Sequence, residues 1–449
     1  MGSALVLGLL ALMICCVLLG YPVAIVLGGV SLIVGYVALG PAFMQFLPSR
    51  YMGVLSNYVL LAVPMFIVMG LALQRSGLTQ VLLAAFAKTL RSVPGGMALA
   101  VLFVGALLAA STGIVGASVV TLGLIALPVL KRAGYRDDIA AGIVASAGSL
   151  GQIVPPSIVL ILLASVMQVS AGALFAAAVW PSLLIVGGYV AFIVSAALCS
   201  RSALCPGRNL RIALDGPPMW LAIGGPLLLI AGVLGTILAG IASPTEASGV
   251  GAALAVALFL ISRRYTDADS RVQVVVAAEQ PAATRSKLAI SSSHDLLDIA
   301  AEALRLTSMV FLILFGATTF ALVFRGLGGD DLMIDYVQSS GLGAEGFVVL
   351  VLVIVFVAGF FVDFIEIIFI VVPVVLPLLQ AYGIDPLWFA VLLGVNLQTS
   401  FLTPPFGFSL FYLRGVAPAA MSTESIYRGV LPYVAIQLGV LAYLFFSHV

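Results

Sequence analysis

Two proline pairs, Pro155-Pro156 and Pro404-Pro405, each stand in the middle of a long apolar run. Adjacent prolines remove two backbone donors and clash with the preceding turn, so a helix that contains them must unwind there. Unwound backbone inside a membrane persists only where it is buried in protein or lines a wet cavity. A simple kink is the alternative, but two such breaks in related contexts favour a binding site at each.

Hydroxyl, amide and glycine residues surround the two breaks. A broken helix exposes carbonyls at one half-helix end and amides at the other; carbonyls with hydroxyls suit Na⁺, whereas amides suit anions. We therefore predict ion ligands near both breaks, although such hydroxyls can also simply bond to the preceding helical turn. The first half of the chain supplies Ser111, Thr112, Gly113, Ser146, Ser149 and Gly151, and the second half supplies Asn396, Gln398, Thr399, Ser400 and Thr403.

Two carboxylates and one arginine complete this set. Asp363 and Glu366 lie in an apolar run, where ionisable groups are costly and usually functional. Asp363 could bind a cation, accept substrate hydroxyls or cap a helix start, and Glu366 could pair within the protein. Arg325 could hold a carboxylate through two hydrogen bonds, or it could snorkel to the membrane interface. The predicted substrate contacts are Arg325, Asp363, Thr112, Gly113 and Asn396.

The composition demands a lipid environment. Of 449 residues, 63% are hydrophobic and 8% are charged, whereas a soluble protein carries about 25% charged residues. A net charge of +1 gives no sign of nucleic-acid binding, and the cysteines form no CxxC pair, so we expect neither a metal centre nor a disulfide. No cofactor is expected besides a coupling ion. Motifs of intramembrane enzymes, such as HExxH or GxSxG, are not found in a suitable context.

Long apolar runs define the elements that must position these residues, since a membrane span needs about 20 residues. Two of the runs, 97–130 and 346–380, are too long for one straight span and are interrupted at 111–113 and 359–363. The other runs lie at 4–20, 22–39, 55–75, 138–168, 174–199, 219–240, 244–262, 299–324, 387–414 and 425–447.

The chain repeats itself at an offset of 249 residues, at which the two proline pairs coincide, as do Leu127-Pro128 and Leu376-Pro377. Basic residues bracket the run 97–130, whereas acidic residues precede and follow 346–380. By the positive-inside rule the two runs enter from opposite sides, so we predict re-entrant hairpins. An odd number of spans in each half inverts the second copy, which is the arrangement of many secondary transporters.

We therefore predict an all-α polytopic membrane protein, an inverted repeat with five spans and one re-entrant hairpin in each half. Both termini would be periplasmic, and a loop at 262–298 would be cytoplasmic. The first repeat, 1–218, contains scaffold helices (1–75), an arm (76–94), a hairpin (97–130), a broken helix (138–168) and a last helix (174–199). The second repeat, 219–449, contains scaffold helices (219–324), an arm (325–344), a hairpin (346–380), a broken helix (387–414) and a last helix (425–447).

Four segments, SPTEAS, LPVLKRAGY, GSLGQIVPPSIVLILLA and GVNLQTSFLTPPFGFSLF, resemble the large membrane subunit of TRAP (tripartite ATP-independent periplasmic) transporters. The resemblance extends over essentially the whole chain. It implies a Na⁺-driven importer of an organic anion in the bacterial inner membrane, with an elevator mechanism in which hairpins and broken helices slide past a scaffold. It also implies two partners, a small four-helix membrane subunit on a separate chain and a periplasmic substrate-binding protein.

The resemblance further implies where ligands bind. Each hairpin tip in the family is paired with the facing helix break, and in sialic-acid members an arginine and an aspartate are associated with substrate. Arg325 and Asp363 are the matching residues here. The implied Na⁺ ligands are Ser111, Thr112 and Gly113 with Ser149 and Gly151, and the 359–363 tip, which begins at Gly359, with Thr399, Ser400 and Thr403.

The sequence favours this function over three others. A stand-alone Na⁺-coupled carboxylate symporter of the same architecture would need no binding protein. An ion channel is disfavoured because two hairpins would occlude an open pore. An intramembrane enzyme would need motifs that the sequence does not offer.

Overall fold

A computed structural model describes residues 2–113, 115–199, 218–265, 295–339 and 341–447. All regular elements in these ranges are helices, which confirms the prediction of an all-α chain. Most of the loop predicted at 262–298 lies outside the described residues.

The described part of the first half forms ten α-helices and three short 3₁₀ helices. Pro22 directly precedes the second of them, a position where proline is tolerated because a helix start has unpaired N–H groups anyway. The helices are α1 (Gly2–Leu18), α2 (Val23–Leu39), α3 (Leu47–Leu55), α4 (Ala62–Arg75), α5 (Leu78–Thr89), α6 (Gly96–Thr112), α7 (Val115–Arg132), α8 (Asp137–Ser149), α9 (Ile158–Met167) and α10 (Ala171–Cys199).

The described part of the second half forms nine α-helices. Its second helix starts at a capping box, in which Glu246 Oε2 accepts a hydrogen bond from the Ser243 N–H at 2.8 Å. The helices are α11 (Met219–Leu238), α12 (Pro244–Arg263), α13 (Asp295–Gly326), α14 (Gly329–Ser339), α15 (Ala344–Ala358), α16 (Phe364–Ala381), α17 (Pro386–Leu402), α18 (Phe408–Val416) and α19 (Thr423–Ser447).

Eight of the described helices are long and apolar enough to cross a bilayer. Two of these eight, α7 and α16, belong to the predicted hairpins. The run 97–130 folds into two helices, α6 and α7, and the run 346–380 folds into α15 and α16. Both proline pairs interrupt a helix, because α8 and α9 flank the first pair and α17 and α18 flank the second. Half-helices therefore end between the flanking helices, and the backbone groups at these ends are not all paired within a helix.

The two halves pack on each other reciprocally. Helix α2 of the first half packs on α13 of the second, and α12 of the second half packs on α4 of the first. In the same way α19 packs on α8 and α10 on α17, while α7 contacts α18 and α16 contacts α9. Helices of each half are therefore packed against helices of the other half as well as against their own.

Close glycine contacts let several of these helices approach backbone to backbone, as is common in membrane bundles. Where α19 crosses α8, a methyl group on Gly429 would lie 1.9 Å from the Asp138 carbonyl oxygen. Where α13 crosses α2, a methyl group on Gly316 would lie 2.8 Å from the Ala24 carbonyl oxygen. A third contact, of α6 with α8, has Gly105 against Ala147.

Candidate ion- and substrate-binding site

The first helix break is a short irregular segment whose carbonyls have partners. Helix α8 ends at Ser149, a 3₁₀ turn covers Leu150–Gln152, and α9 begins at Ile158. The Ser157 hydroxyl shares its one hydrogen between two carbonyl oxygens, that of Gly151 at 2.8 Å and that of Gln152 at 2.9 Å. Each of these carbonyls keeps a second lone pair, so the break remains able to bind a cation.

The tip of the first hairpin lies against this break. Gly113 has φ of +60°, which favours glycine, and a methyl group there would lie 2.9 Å from the Ile158 backbone nitrogen. On the other side of the tip, a methyl group on Gly151 would lie 3.1 Å from the Ala109 carbonyl oxygen. The structure therefore brings Gly113 and Gly151 into the same region. The side chains of Ser111 and Thr112 lie outside the described residues.

The hydroxyls predicted as ion ligands donate to their own helices. Ser149 Oγ donates to the Ser146 carbonyl oxygen at 2.9 Å, and Thr399 Oγ1 donates to the Val395 carbonyl oxygen at 2.8 Å. A hydroxyl that turns its hydrogen toward the helix leaves its lone pairs pointing away, so it can still bind a cation. The same bonding is made by Ser146 to Gly142, Ser400 to Leu397 and Thr403 to Thr399.

The tip of the second hairpin lies against the second break. Gly359 follows α15 directly, and a methyl group on it would lie 2.1 Å from Ser400 Oγ. The second hairpin tip therefore also lies against a helix break, here the last turn of α17.

Asp363 caps the helix that leaves the second tip. It is the N-cap residue of α16 and forms a capping box with Glu366, whose Oε2 accepts the Asp363 N–H at 3.2 Å. In this conformation Asp363 therefore stands as the helix cap, and Glu366 pairs with the Asp363 backbone. Both roles were among those proposed from the sequence.

Asn396 and Arg325 lie in different surroundings from the two tips. The buried Asn396 amide donates from Nδ2 to the Leu352 carbonyl oxygen at 2.8 Å, so it ties α17 to α15. The Arg325 side chain is 48% exposed at the end of α13, with its Nε 3.5 Å from Asp330 Oδ2 of the arm helix α14. Neither residue's role toward substrate is visible in these contacts, and both assignments stay predictions.

Two buried glutamines, Gln152 and Gln398, lie at the breaks, and only the second was predicted from the sequence to belong to the site. Gln398 was included among the polar residues of the second break, whereas Gln152 was not singled out. Both side chains are fully buried, and neither the Nε2 nor the Oε1 atom of either has a hydrogen-bond partner. The available signal for Gln152 was an amide within an apolar run, three residues before a proline pair.

A family model for the DctM component of tripartite ATP-independent periplasmic transporters matches residues 10–448. The chain belongs to this family. The match confirms both the resemblance carried by the four sequence segments and its extent over essentially the whole chain.

Curated relatives are permeases of the same class. The C4-dicarboxylate TRAP transporter large permease protein DctM of Pseudomonas aeruginosa is 30% identical over 386 residues, which cover 85% of this chain and 82% of the relative. The protein of that name from Vibrio cholerae is 28% identical and covers 96% of this chain and 92% of the relative. The sialic acid TRAP transporter large permease protein SiaM of Vibrio cholerae is 26% identical and covers 89% and 86%.

A solved structure shares the fold. The Alcanivorax borkumensis YdaH transporter aligns with a TM-score of 0.62 and 16% identity, over 92% of this chain and 89% of that one. As a TRAP large permease, this chain is a multi-pass protein of the bacterial inner membrane and not an enzyme, which confirms both predictions. Such permeases translocate substrate together with a small membrane subunit and a periplasmic binding protein.

Proposed function

We propose that this chain is the translocating subunit of a Na⁺-coupled importer of an organic acid. The observation that carries the proposal is that each hairpin tip touches one helix break, with Gly113 beside Ile158 and Gly359 beside Ser400. Secondary transporters hold Na⁺ at broken helices, through carbonyls and hydroxyls such as those at these breaks, which keep a lone pair for a cation. The Na⁺ ligands we propose are those predicted from the sequence at the two tips and breaks.

The packing supports an inverted repeat with an elevator mechanism. Reciprocal contacts between corresponding helices of the two halves are expected when the halves are related by a pseudo-twofold axis in the membrane plane. In this proposal the pairs α2–α13 and α4–α12 form a scaffold, held further by an ion pair between Arg75 and Glu302. The two hairpins, the two broken helices, α10 and α19 would move together past that scaffold.

Substrate and partners follow from the relatives. Their names include C4-dicarboxylate and sialic acid, both of which carry carboxylates, so we propose an organic anion as the substrate. A periplasmic binding protein would deliver it, and a small membrane subunit of four helices would complete the complex. Membership of this family favours such a complex over a stand-alone symporter.

Sodium should stabilise the purified chain against thermal unfolding. A ligand that binds only the folded state contributes about 2.7 kcal/mol at a hundredfold excess over its Kd. We expect a higher melting temperature in NaCl than in KCl or choline chloride at equal ionic strength, and a smaller rise in Ser149→Ala and Thr399→Ala. Ser195→Ala is the matched control, because Ser195 Oγ also donates to its own helix, at 3.0 Å, but lies exposed in α10.

Uptake into proteoliposomes tests the transport reaction itself. The complete complex should accumulate one of succinate, N-acetylneuraminate or another organic acid when an inward Na⁺ gradient and the binding protein are both present. Na⁺ coupling would be refuted by equal melting temperatures in all three salts together with uptake that is the same with and without the Na⁺ gradient. Uptake without the binding protein would instead favour the stand-alone symporter.

A further inference from the structure

Gln152 and Gln398 are fully buried, yet all four polar atoms of their side chains lack hydrogen-bond partners. Burying a carboxamide without partners costs free energy, because its hydrogen bonds to water are lost and not replaced. A third fully buried glutamine, Gln437, donates from Nε2 to the Tyr189 hydroxyl at 2.7 Å. Gln437 thus has a partner at one end of its amide and lacks one only at Oε1, whereas the two glutamines at the breaks lack a partner at both ends.

The two unpaired amides belong to neighbouring elements. Gln152 ends the 3₁₀ turn of the first break, and this turn packs on α17, the helix that carries Gln398. A methyl group on Gly394 would lie 3.1 Å from Ile153 Cδ1. Because residues four apart lie on one face of a helix, Gln398 shares the side of α17 that faces the first break. Both amides therefore lie where the two halves of the molecule meet.

The chemistry of an unpaired carboxamide restricts what can satisfy it. Oε1 needs a cation or a donor, and the two Nε2 hydrogens need acceptors. A Na⁺ ion alone would satisfy only the oxygen, and an anion alone would satisfy only the nitrogen. A Na⁺ ion and a carboxylate that arrive together would satisfy both ends of each amide.

We propose that Gln152 and Gln398 bind the transported pair, each holding Na⁺ through Oε1 and a carboxylate of the organic anion through its Nε2–H groups. The inference rests on the proposed function and deepens it. A hydrogen bond at one end of an amide polarises the other end, so Na⁺ on Oε1 strengthens the Nε2 donors for the anion. A neutral side chain can in this way couple the binding of an ion to the binding of a substrate.

The first test measures stability without Na⁺. Methionine has nearly the length and volume of glutamine but no unpaired polar atoms, and such volume-conserving changes are well tolerated. In choline chloride we expect Gln152→Met and Gln398→Met to melt a few degrees higher than the wild type. Gln437→Met is the control and should melt lower, because it leaves the buried Tyr189 hydroxyl without its donor.

The second test separates the two ends of the amide. Gln398→Met should lose at least half of the Na⁺-induced rise in melting temperature, whereas Gln437→Met should keep all of it. Gln398→Glu keeps an oxygen ligand and removes the donor, so its Na⁺-induced rise should be at least as large as that of the wild type. Uptake of the acid that the wild-type complex carries should nevertheless fall at least tenfold in Gln398→Glu.

Each result decides between defined alternatives. If the methionine variants melt lower than the wild type in choline chloride and keep the full Na⁺ effect, the amides serve the fold and the inference is wrong. Unchanged uptake by Gln398→Glu would refute the proposed contact between Nε2 and the carboxylate, and would leave the proposed Na⁺ contact standing. A wild type that shows no Na⁺ effect would instead contradict the proposed Na⁺ coupling, and the comparison in choline chloride would still decide whether the amides serve the fold.

Discussion

Gly429→Ala should prevent the chain from reaching its native fold. The new methyl group would lie 1.9 Å from the Asp138 carbonyl oxygen and 3.0 Å from the Gly142 nitrogen, both of them backbone atoms of the region where α8 starts. No side chain can move to relieve this contact, so α19 and α8 must separate. Overpacking typically costs about 1–3 kcal/mol, and backbone overlap of this depth should exceed that range. Fluorescence-detected size exclusion of detergent extracts should show loss of the monodisperse peak.

Gly187→Ala is the matched control for this result. Gly187 lies in α10, the long helix that ends the first half, as Gly429 lies in α19, the long helix that ends the second. A methyl group on Gly187 would meet nothing within 4 Å. Alanine is favoured over glycine in helices by about 1 kcal/mol, so this variant should be neutral or slightly more stable. A Gly429→Ala protein with the wild-type elution profile and melting temperature would show that the α8–α19 contact is not required.

Gly359→Ala should detach the second hairpin tip from the second helix break. The backbone at Gly359, with φ of −65°, suits alanine, so only the close approach is altered. The methyl group would lie 2.1 Å from Ser400 Oγ and 2.9 Å from Ser400 Cβ, and the latter atom is fixed by the backbone of α17. We expect a lower melting temperature, loss of the Na⁺-induced rise, and uptake reduced by more than tenfold.

A double-mutant cycle with Ser400→Gly tests whether this one contact is responsible. Ser400→Gly removes both atoms that the new methyl group would meet, at the cost of glycine within a helix, about 0.5–1 kcal/mol. Gly359→Ala should then be nearly harmless in the Ser400→Gly background when the melting temperature is measured without Na⁺. Equal destabilisation in both backgrounds would show that Gly359 acts through something other than Ser400.

The interruptions of the helices could be predicted because their causes are local. Pro155-Pro156 and Pro404-Pro405 remove backbone donors wherever the chain places them, and the structure has a helix end at each pair. The tip at Gly113 could also be located from the sequence, since serine, threonine and glycine interrupt an apolar run there. The amphipathic helix α3 was not predicted, because its nine residues are too short for a membrane-span criterion.

The candidate site was predictable in its location and less so in its contacts. Hydroxyls at Ser149 and Thr399 could be placed at the breaks, but the sequence could not say that they donate to their own helices. The sequence also could not say that the Asn396 amide donates to the Leu352 carbonyl oxygen of α15, and its contact with substrate stays a prediction. Such contacts depend on which helices become neighbours, and that is a non-local property.

The sequence by itself determined that the chain is a membrane protein, that it is helical, where its helices break and to which family it belongs. Each of these follows from composition, proline chemistry or motif, all of which act within one segment. Only the tertiary structure decided which helices of the two halves pack on each other, that Gly429 touches the backbone of α8, and that the Gln152 and Gln398 amides have no hydrogen-bond partner. These features arise between segments far apart in the chain. Packing of the whole fold decides which segments become neighbours, so the contacts cannot be read from the local sequence.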